Sequence, residues 1–243
     1  MQFSDELEFA HRGRKDVYEH VERHGTVDYE TARRALNMEP TAFGHHVAIL
    51  KRDGVIEQDD ETLSVAFESE SEERYADNDV EVTIRQAHNS DLTGLVGAIR
   101  SAIEDKTYIV AESIADIVDH ENVLLRHNDL ESRVFFVATV NGDVVGWVHL
   151  HAPEVEKLGH TAELTVGVLD EYRDHGIGSR LLERGLEWAR EHDYEKVYNS
   201  VPSTNEAAIE FLETHGWETE AVRKNHYQIE GEYIDEVMMA VEL

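Results

Sequence analysis

The fold is decided by Ala162–Leu182, AELTVGVLDEYRDHGIGSRLL. Ala162, Leu164, Val166 and Val168 alternate with Glu163, Thr165 and Gly167, the period of a half-buried strand. From Ile177 the period lengthens. Ile177, Leu181, Leu182, Gly185, Leu186 and Ala189 fall on one face of a helix ending near His192. Between the two lies Arg173-Asp174-His175-Gly176-Ile177-Gly178. Its glycines let backbone approach a ligand closely, and a helix start offers unpaired N–H groups and a positive dipole end. The pattern is an anion cradle suited to phosphate.

Outward from this stretch the elements alternate. Upstream, Val82–Arg85 reads as a strand and Asp91–Glu104 as a helix with Leu92, Leu95, Val96 and Ile99 inward. Ser113–His127 is read as a second helix, with Ile114, Ile117, Val118, Leu124 and Leu125 inward. Arg133–Val140 and Val144–His151 form a hairpin about Asn141-Gly142-Asp143. Pro153–Gly159 is a loop. Downstream, Lys196–Val201 is a strand, and Asn205–His215 a helix closed by Gly216. Trp217–Ala221 and Ile234–Val241 are the last strands. The expected class is α/β (α+β): a mixed sheet with helices on both sides, over residues 82–243.

Residues 1–67 hold 8 basic and 14 acidic side chains. Arg14–His24 is helical, with Val17 and Val21 inward and Gly25 as a stop. Asp28 caps a second helix that carries Ala32 and Leu36 and ends at Asn37. Thr41–Arg52 is a third, with Phe43, Val47 and Leu50 inward. Val55–Glu57 and Leu63–Phe67 are strands about the polar turn Gln58–Thr62. Residues 68–81, ESESEERYADNDVE, carry seven acids, one arginine and no apolar period, and read as a charged, mobile linker.

The chain of 243 residues has 22 Lys+Arg (6 lysines, 16 arginines) against 52 Asp+Glu, a formal charge of −30. That balance opposes polyanion binding unless a local patch reverses it. With 41% apolar residues the chain is not of disordered composition, and its acidity suits a salt-rich cytoplasm, as in halophiles. There is no cysteine, hence no disulfide, thiolate metal site or cysteine nucleophile. MQFSDELEFA lacks the pattern of a secretory signal and no apolar run is long enough to span a membrane, so a cytoplasmic location is expected. His20 and His24 lie at i, i+4, but no further ligand pattern accompanies them, and no metal site is expected. His149 and His151 share a strand face near His160. They are candidates for base or acceptor contacts, or else ordinary polar sheet positions.

Two blocks carry a family resemblance. Arg173-Asp174-His175-Gly176-Ile177-Gly178 resembles the Gln/Arg-x-x-Gly-x-Gly/Ala loop of the GCN5-related N-acetyltransferases, and Asn205…Gly216-Trp217 resembles their Asn-x-x-Ala…Gly-Phe/Trp segment. The resemblance covers residues 82–243. It implies acetyl-CoA as co-substrate, with its pyrophosphate on the N–H groups of Arg173, Asp174, His175, Gly176, Ile177, Gly178 and Ser179. It further implies a pantetheine arm along Val166, Gly167 and Val168, with Asn205 near the thioester. Glu163 is implied as the base that deprotonates an amine through water, an outward surface glutamate being the alternative. Where members place a tyrosine as thiolate acid stands Leu212, which leaves Tyr227 and Tyr233 as candidates or the role unfilled.

Residues 26–67 resemble a winged helix-turn-helix domain, which implies DNA contact through Thr41, His45, His46 and Arg52, with Lys51 to the side, or a docking or dimerisation module. The expected function is acetyl transfer to a primary amine of a small molecule, peptide or protein by direct attack. The alternative is a DNA-binding regulator whose second domain senses a CoA ligand. A homodimer is a candidate assembly.

Overall fold

The strand–loop–helix at Ala162–Leu182 lies at the centre of a nine-stranded sheet. The computed structural model describes residues 9, 11–66, 72–77, 80–103, 109–128, 131–153, 155 and 157–243. The sheet contains β4 (Glu73–Asp77), β5 (Val80–Gln86), β6 (Arg126–His127), β7 (Glu131–Val140), β8 (Asp143–Pro153), β9 (Thr161–Val168), β10 (Lys196–Pro202), β11 (Glu218–Ile229) and β12 (Glu232–Glu242). Its order is β11-β12-β10-β9-β8-β7-β5-β4, with β6 beside β7. Only β9 and β10 run parallel; every other pair is antiparallel, so the sheet is mixed as expected.

Both faces are covered. Phe135, Val137 and Trp147 pack with α4 (Leu92–Ile103) and α5 (Ile109–Glu121). Val134, Phe136, Ala138, Val148 and Leu150 pack on the other face with Leu181, Leu182 and Leu186 of α6 (Ile177–Glu191). This explains why β7 is buried along nearly its whole length instead of alternating. The Asn141-Gly142 turn has positive φ at both residues (53° and 91°), as a tight hairpin requires.

The first unit has α1 (Arg12–His24), β1 (Thr26–Asp28), α2 (Tyr29–Ala35), α3 (Pro40–Arg52), β2 (Ile56–Asp59) and β3 (Thr62–Val65). Asp28 caps α2 through Thr31 N at 2.7 Å. Its strands pair in the order β1-β3-β2; β1 was not expected, because three residues carry no readable period. The unit is docked on the sheet. Tyr18 Oη donates to His127 O at 2.9 Å, Asn128 Nδ2 to Glu22 Oε1 at 2.8 Å, and Arg126 Nη1 to Glu22 O at 3.1 Å.

Several expectations need correction. Glu73–Asp77 is not linker: it pairs with β5 as the edge strand, from Glu73↔Ile84 to Asp77↔Val80. Hydrogen bonding and one half-buried tyrosine, Tyr75, replace the missing apolar period. Residues 67–71 and 78–79 of the expected strand end and linker lie outside the described residues. The second helix of the larger unit runs Ile109–Glu121 rather than to His127. Asn122 (φ 58°) ends it, Ile117 is 46% exposed, and Arg126–His127 turns back as a strand. β2 and β3 extend to Asp59 and Thr62, leaving a turn at Asp60-Glu61. β11 runs eight residues past Ala221, turning at Glu230-Gly231 (φ 52° and 90°).

Among the described residues, no helix is long and apolar enough to cross a membrane.

Candidate active site

β9 and β10 pair only from Thr161↔Lys196 to Glu163↔Tyr198 and then part, while β9 stays bonded to β8 as far as Val168↔Gly146. The β10-facing edge of Leu164–Val168 is therefore open backbone. A cavity of about 430 Å³ opens there. Thr165–Val168 and Asn199–Pro202 wall it, the first turn of α5 flanks it, and α7 (Glu206–Thr214) contributes Ala207, Ala208, Phe211 and Leu212.

The cradle closes the other end. Gly176 is the N-cap of α6 in the left-handed region (φ 72°), and no side chain caps the helix. Its first N–H groups therefore keep their donors for a ligand. Arg173, Asp174, Gly176, Ile177, Gly178 and Ser179 all line the cavity. His175 does not. Its Nδ1 lies 2.8 Å from Asp77 Oδ2 on β4, the segment read as linker. Arg180 lies 4.1 Å over the Tyr75 ring and pairs with Glu73. Arg173 is held by Asp170 at 2.7 Å. The basic side chains nearest the cradle are thus engaged by the chain's own acids.

Asn205 caps α7 through its Oδ1 to Ala208 N at 3.3 Å. Its Nδ2 is buried without a partner among the described residues, at the cavity wall. Gly167 has a separate reason: a Cβ there would lie 2.3 Å from Trp147, whose ring covers the strand.

Glu163 lies on the open-ended strand, opposite His151 of β8 and Tyr198 of β10. Burial raises its proton affinity most; the His151 side chain opposes this and the Glu236 carboxylate adds to it. Glu163 does not itself line the cavity but precedes the wall residue Thr165 by two positions on β9, and a carboxylate with raised proton affinity there is suited to general-base work.

The comparisons with known proteins agree with this geometry. The model of the Acetyltransferase (GNAT) family matches residues 103–217. The chain is 33% identical over 120 residues to an N-alpha-acetyltransferase of Sulfurisphaera tokodaii, covering 45% of this chain and 69% of that protein. It is 28% identical over 108 residues to the L-amino acid N-acetyltransferase AaaT of Escherichia coli, covering 43% and 65%. The chain belongs to the GNAT acetyltransferase family. Its fold is that of yncA from Salmonella typhimurium, solved with its cofactor acetyl-CoA (TM-score 0.55, 20% identity, covering 67% of this chain and 94% of that one).

GNAT enzymes are N-acetyltransferases with acetyl-CoA as co-substrate, and the site fits that group. An uncapped helix start suits the pyrophosphate, an open strand edge suits the amide-bearing arm, and the Asn205 Nδ2 donor awaits an acceptor. No group of three or more metal-ligating side chains occurs among the described residues.

Leu212 is 2% exposed and lines the cavity, so an apolar wall stands where many GNAT members have a phenol. Tyr227 is a poor substitute as acid. Burial raises its pKa strongly, and its hydroxyl already donates to Glu236 Oε1 at 3.0 Å. Tyr233 is 65% exposed. His149 is fully buried against Phe135, which holds it neutral, and both ring nitrogens lack partners among the described residues. His151 lies 3.3 Å from Glu131. In the first unit, Thr41 and His45 are exposed on α3, and Arg52 pairs with Asp53 at 2.7 Å. His46 is not turned outward. It packs on the start of α1, its ring 4.9 Å from His11.

Sequence reasoning missed Glu236, Trp147 and the β4 clamp. Glu236 had a signal, an acid in phase with Met238 and Ala240 on an apolar strand. The clamp had none, since Glu73 and Asp77 look like any surface acids.

Proposed function

We propose that the chain transfers the acetyl group of acetyl-CoA to an α-amino group, of a peptide or protein N terminus or of a free amino acid. The amine nitrogen attacks the thioester carbonyl, the C–N bond forms, the C–S bond breaks, and CoA leaves as thiolate. The amine proton passes through water to Glu163, and the thiolate takes its proton from solvent. Donation from a backbone N–H of β9 to the developing oxyanion lowers the barrier.

The observation that carries this reading is Glu163 on β9, with burial raising its proton affinity, upstream of the open edge that fits the CoA arm. The α-amine acceptor is supported by the relatives: one is named an N-alpha-acetyltransferase and one an L-amino acid N-acetyltransferase. The test measures thiol release from acetyl-CoA with three acceptor sets. These are short peptides with free N termini, the same peptides N-terminally blocked with an internal lysine, and free amino acids. Free α-amines should be acetylated and the blocked peptides should not. Reaction at lysine alone, or at none, overturns the proposal.

A further inference from the structure

The reaction above uses one carboxylate, and β12 holds a second, more buried one, opposite Pro202 of the cavity wall. Glu236 on β12 is 4% exposed. Its two oxygens are held separately. Oε1 accepts the Tyr227 hydroxyl at 3.0 Å, and Oε2 accepts Arg223 Nη1 at 2.9 Å, with His226 Nε2 3.6 Å from Oε2. The hydrogen-bond partners, Arg223 and Tyr227, come from β11. A register shift between Arg223 and Tyr227 makes this possible, setting Arg223 opposite Glu236 and Tyr227 opposite Ile234. The irregular residues between are anchored by Asp235, which takes Asn225 N at 2.9 Å and Lys224 Nζ at 2.7 Å. The hairpin is thus built around one carboxylate.

A buried carboxylate with neutral and cationic donors is retained at a desolvation cost, so its effect on its neighbours matters. A phenol whose proton is committed to Glu236 can offer a further group only its oxygen lone pair. We propose that Glu236 is a positioning residue of the acceptor site, fixing the Tyr227 hydroxyl as a hydrogen-bond acceptor for the N–H of the incoming amine. This rests on the α-amine reading above. An ammonium or primary amine has hydrogens to give both to Tyr227 Oη and, through water, to Glu163. A neutral tertiary amine has no N–H to give to either.

Glu236 also acts on the base. Charged or titratable groups facing Glu163 are His151 on β8, Tyr198 on β10, Tyr227 on β11 and Glu236 on β12. The negative charge of Glu236 favours the protonated form of Glu163. Removing it lowers the proton affinity of the base, so the acid limb of the kcat/KM profile moves to lower pH.

The test compares wild type, Glu236→Gln and Tyr227→Phe with a free-amine peptide. Glu236→Gln keeps the size of the side chain and an oxygen that can still accept from Tyr227. Its acid limb should move to lower pH, because the Glu236 charge that favours protonated Glu163 is gone. Tyr227→Phe should raise the acceptor KM about tenfold, the scale of one hydrogen bond to a charged donor. Its acetyl-CoA Kd, read by calorimetry, should stay within about twofold. An acceptor KM unmoved in Tyr227→Phe, or an acid limb unmoved in an active, folded Glu236→Gln, overturns the inference. Wild type inactive on every free α-amine overturns the functional reading and this one with it.

Discussion

Replacing Glu163 by glutamine removes the base while keeping its size, and the cost can be worked from proton populations. An α-amino group with a pKa of about 7.8 is only about 14% neutral at pH 7 and about 94% neutral at pH 9. An enzyme that cannot strip the proton must wait for the free amine, which alone costs about sevenfold at pH 7 and almost nothing at pH 9. To this is added the loss of a positioned acceptor for the proton released during attack, about 10²-fold as a conservative figure for general-base catalysis. The expected deficit in kcat/KM is therefore about 700-fold at pH 7, near 4 kcal/mol, falling to about 100-fold at pH 9. In wild type, burial raises the Glu163 pKa, so the acid limb should lie above the ordinary glutamate range.

The assay is thiol release with a free-amine peptide from pH 6 to 9.5, beside calorimetric titration of acetyl-CoA. Glu163 is not among the residues that line the cavity, so cofactor affinity should not change. A loss that is the same at every pH would mean distortion rather than a missing base. A loss below about threefold would remove Glu163 from the mechanism altogether.

Asn205 separates two roles in one side chain. Asn205→Asp keeps the α7 cap but removes the unpartnered Nδ2, so acetyl-CoA Kd should rise about tenfold at unchanged melting temperature, whereas Asn205→Ala should also lose about 1 kcal/mol of stability; equal Kd in the Asp variant counts against a cofactor contact. Gly167→Ala puts a Cβ 2.3 Å from Trp147 and should cost about 1–3 kcal/mol in chemical denaturation, with an unchanged midpoint refuting the close packing. His127 has its pKa lowered to about 4, mainly by burial. The unfolded chain then binds a proton below pH 6.5 that the folded chain refuses, so stability falls by about 3 kcal/mol between pH 6.5 and 4. Urea midpoints across that range should show the fall, and should show less of it in His127→Gln.

Legibility in the sequence followed burial. β9, α6 and the Asn205 helix were readable because one face of each is apolar, and the Asn141-Gly142 hairpin because turn chemistry is local. The cradle was readable because glycine pairs and a change of period mark a helix start. β4 was unreadable because an edge strand is defined by its partner, and its acids are held by His175 and Arg180 about a hundred residues away. The end of α5 was misplaced because Leu124 continues the apolar period, while Asn122, whose amide tolerates positive φ, breaks the helix first. Ile117 fits the same period yet is exposed, since Ile114 and Val118 already fill the stripe that meets α4. The role of Glu236 needed the β11 register shift, which no local pattern encodes.

Two elements beside the cavity, β4 and α5, are held by charged side chains, and α5 carries this on to the N-terminal unit. At the cradle, β4 of the large sheet holds His175 through Asp77 and Arg180 through Glu73. At the other end, the first turn of α5 lines the cavity, and its last turn supplies Glu121, whose Oε2 accepts from Arg133 at 2.5 Å and Arg126 at 3.2 Å. Arg126 in turn reaches Glu22 of α1. In a chain with 52 acids and 22 Lys+Arg, cations are the scarce partner. Arg126, Arg133, His175 and Arg180 are all committed to joining elements and not to a ligand. The backbone N–H groups of the α6 start, uncapped by any side chain, are the donors at this loop suited to the proposed pyrophosphate contact, and their dipoles act at contact distance and are little screened by salt. The acidic strap beside the loop is compatible with an anionic cofactor because Glu73 is paired with Arg180 and Asp77 is hydrogen-bonded to His175.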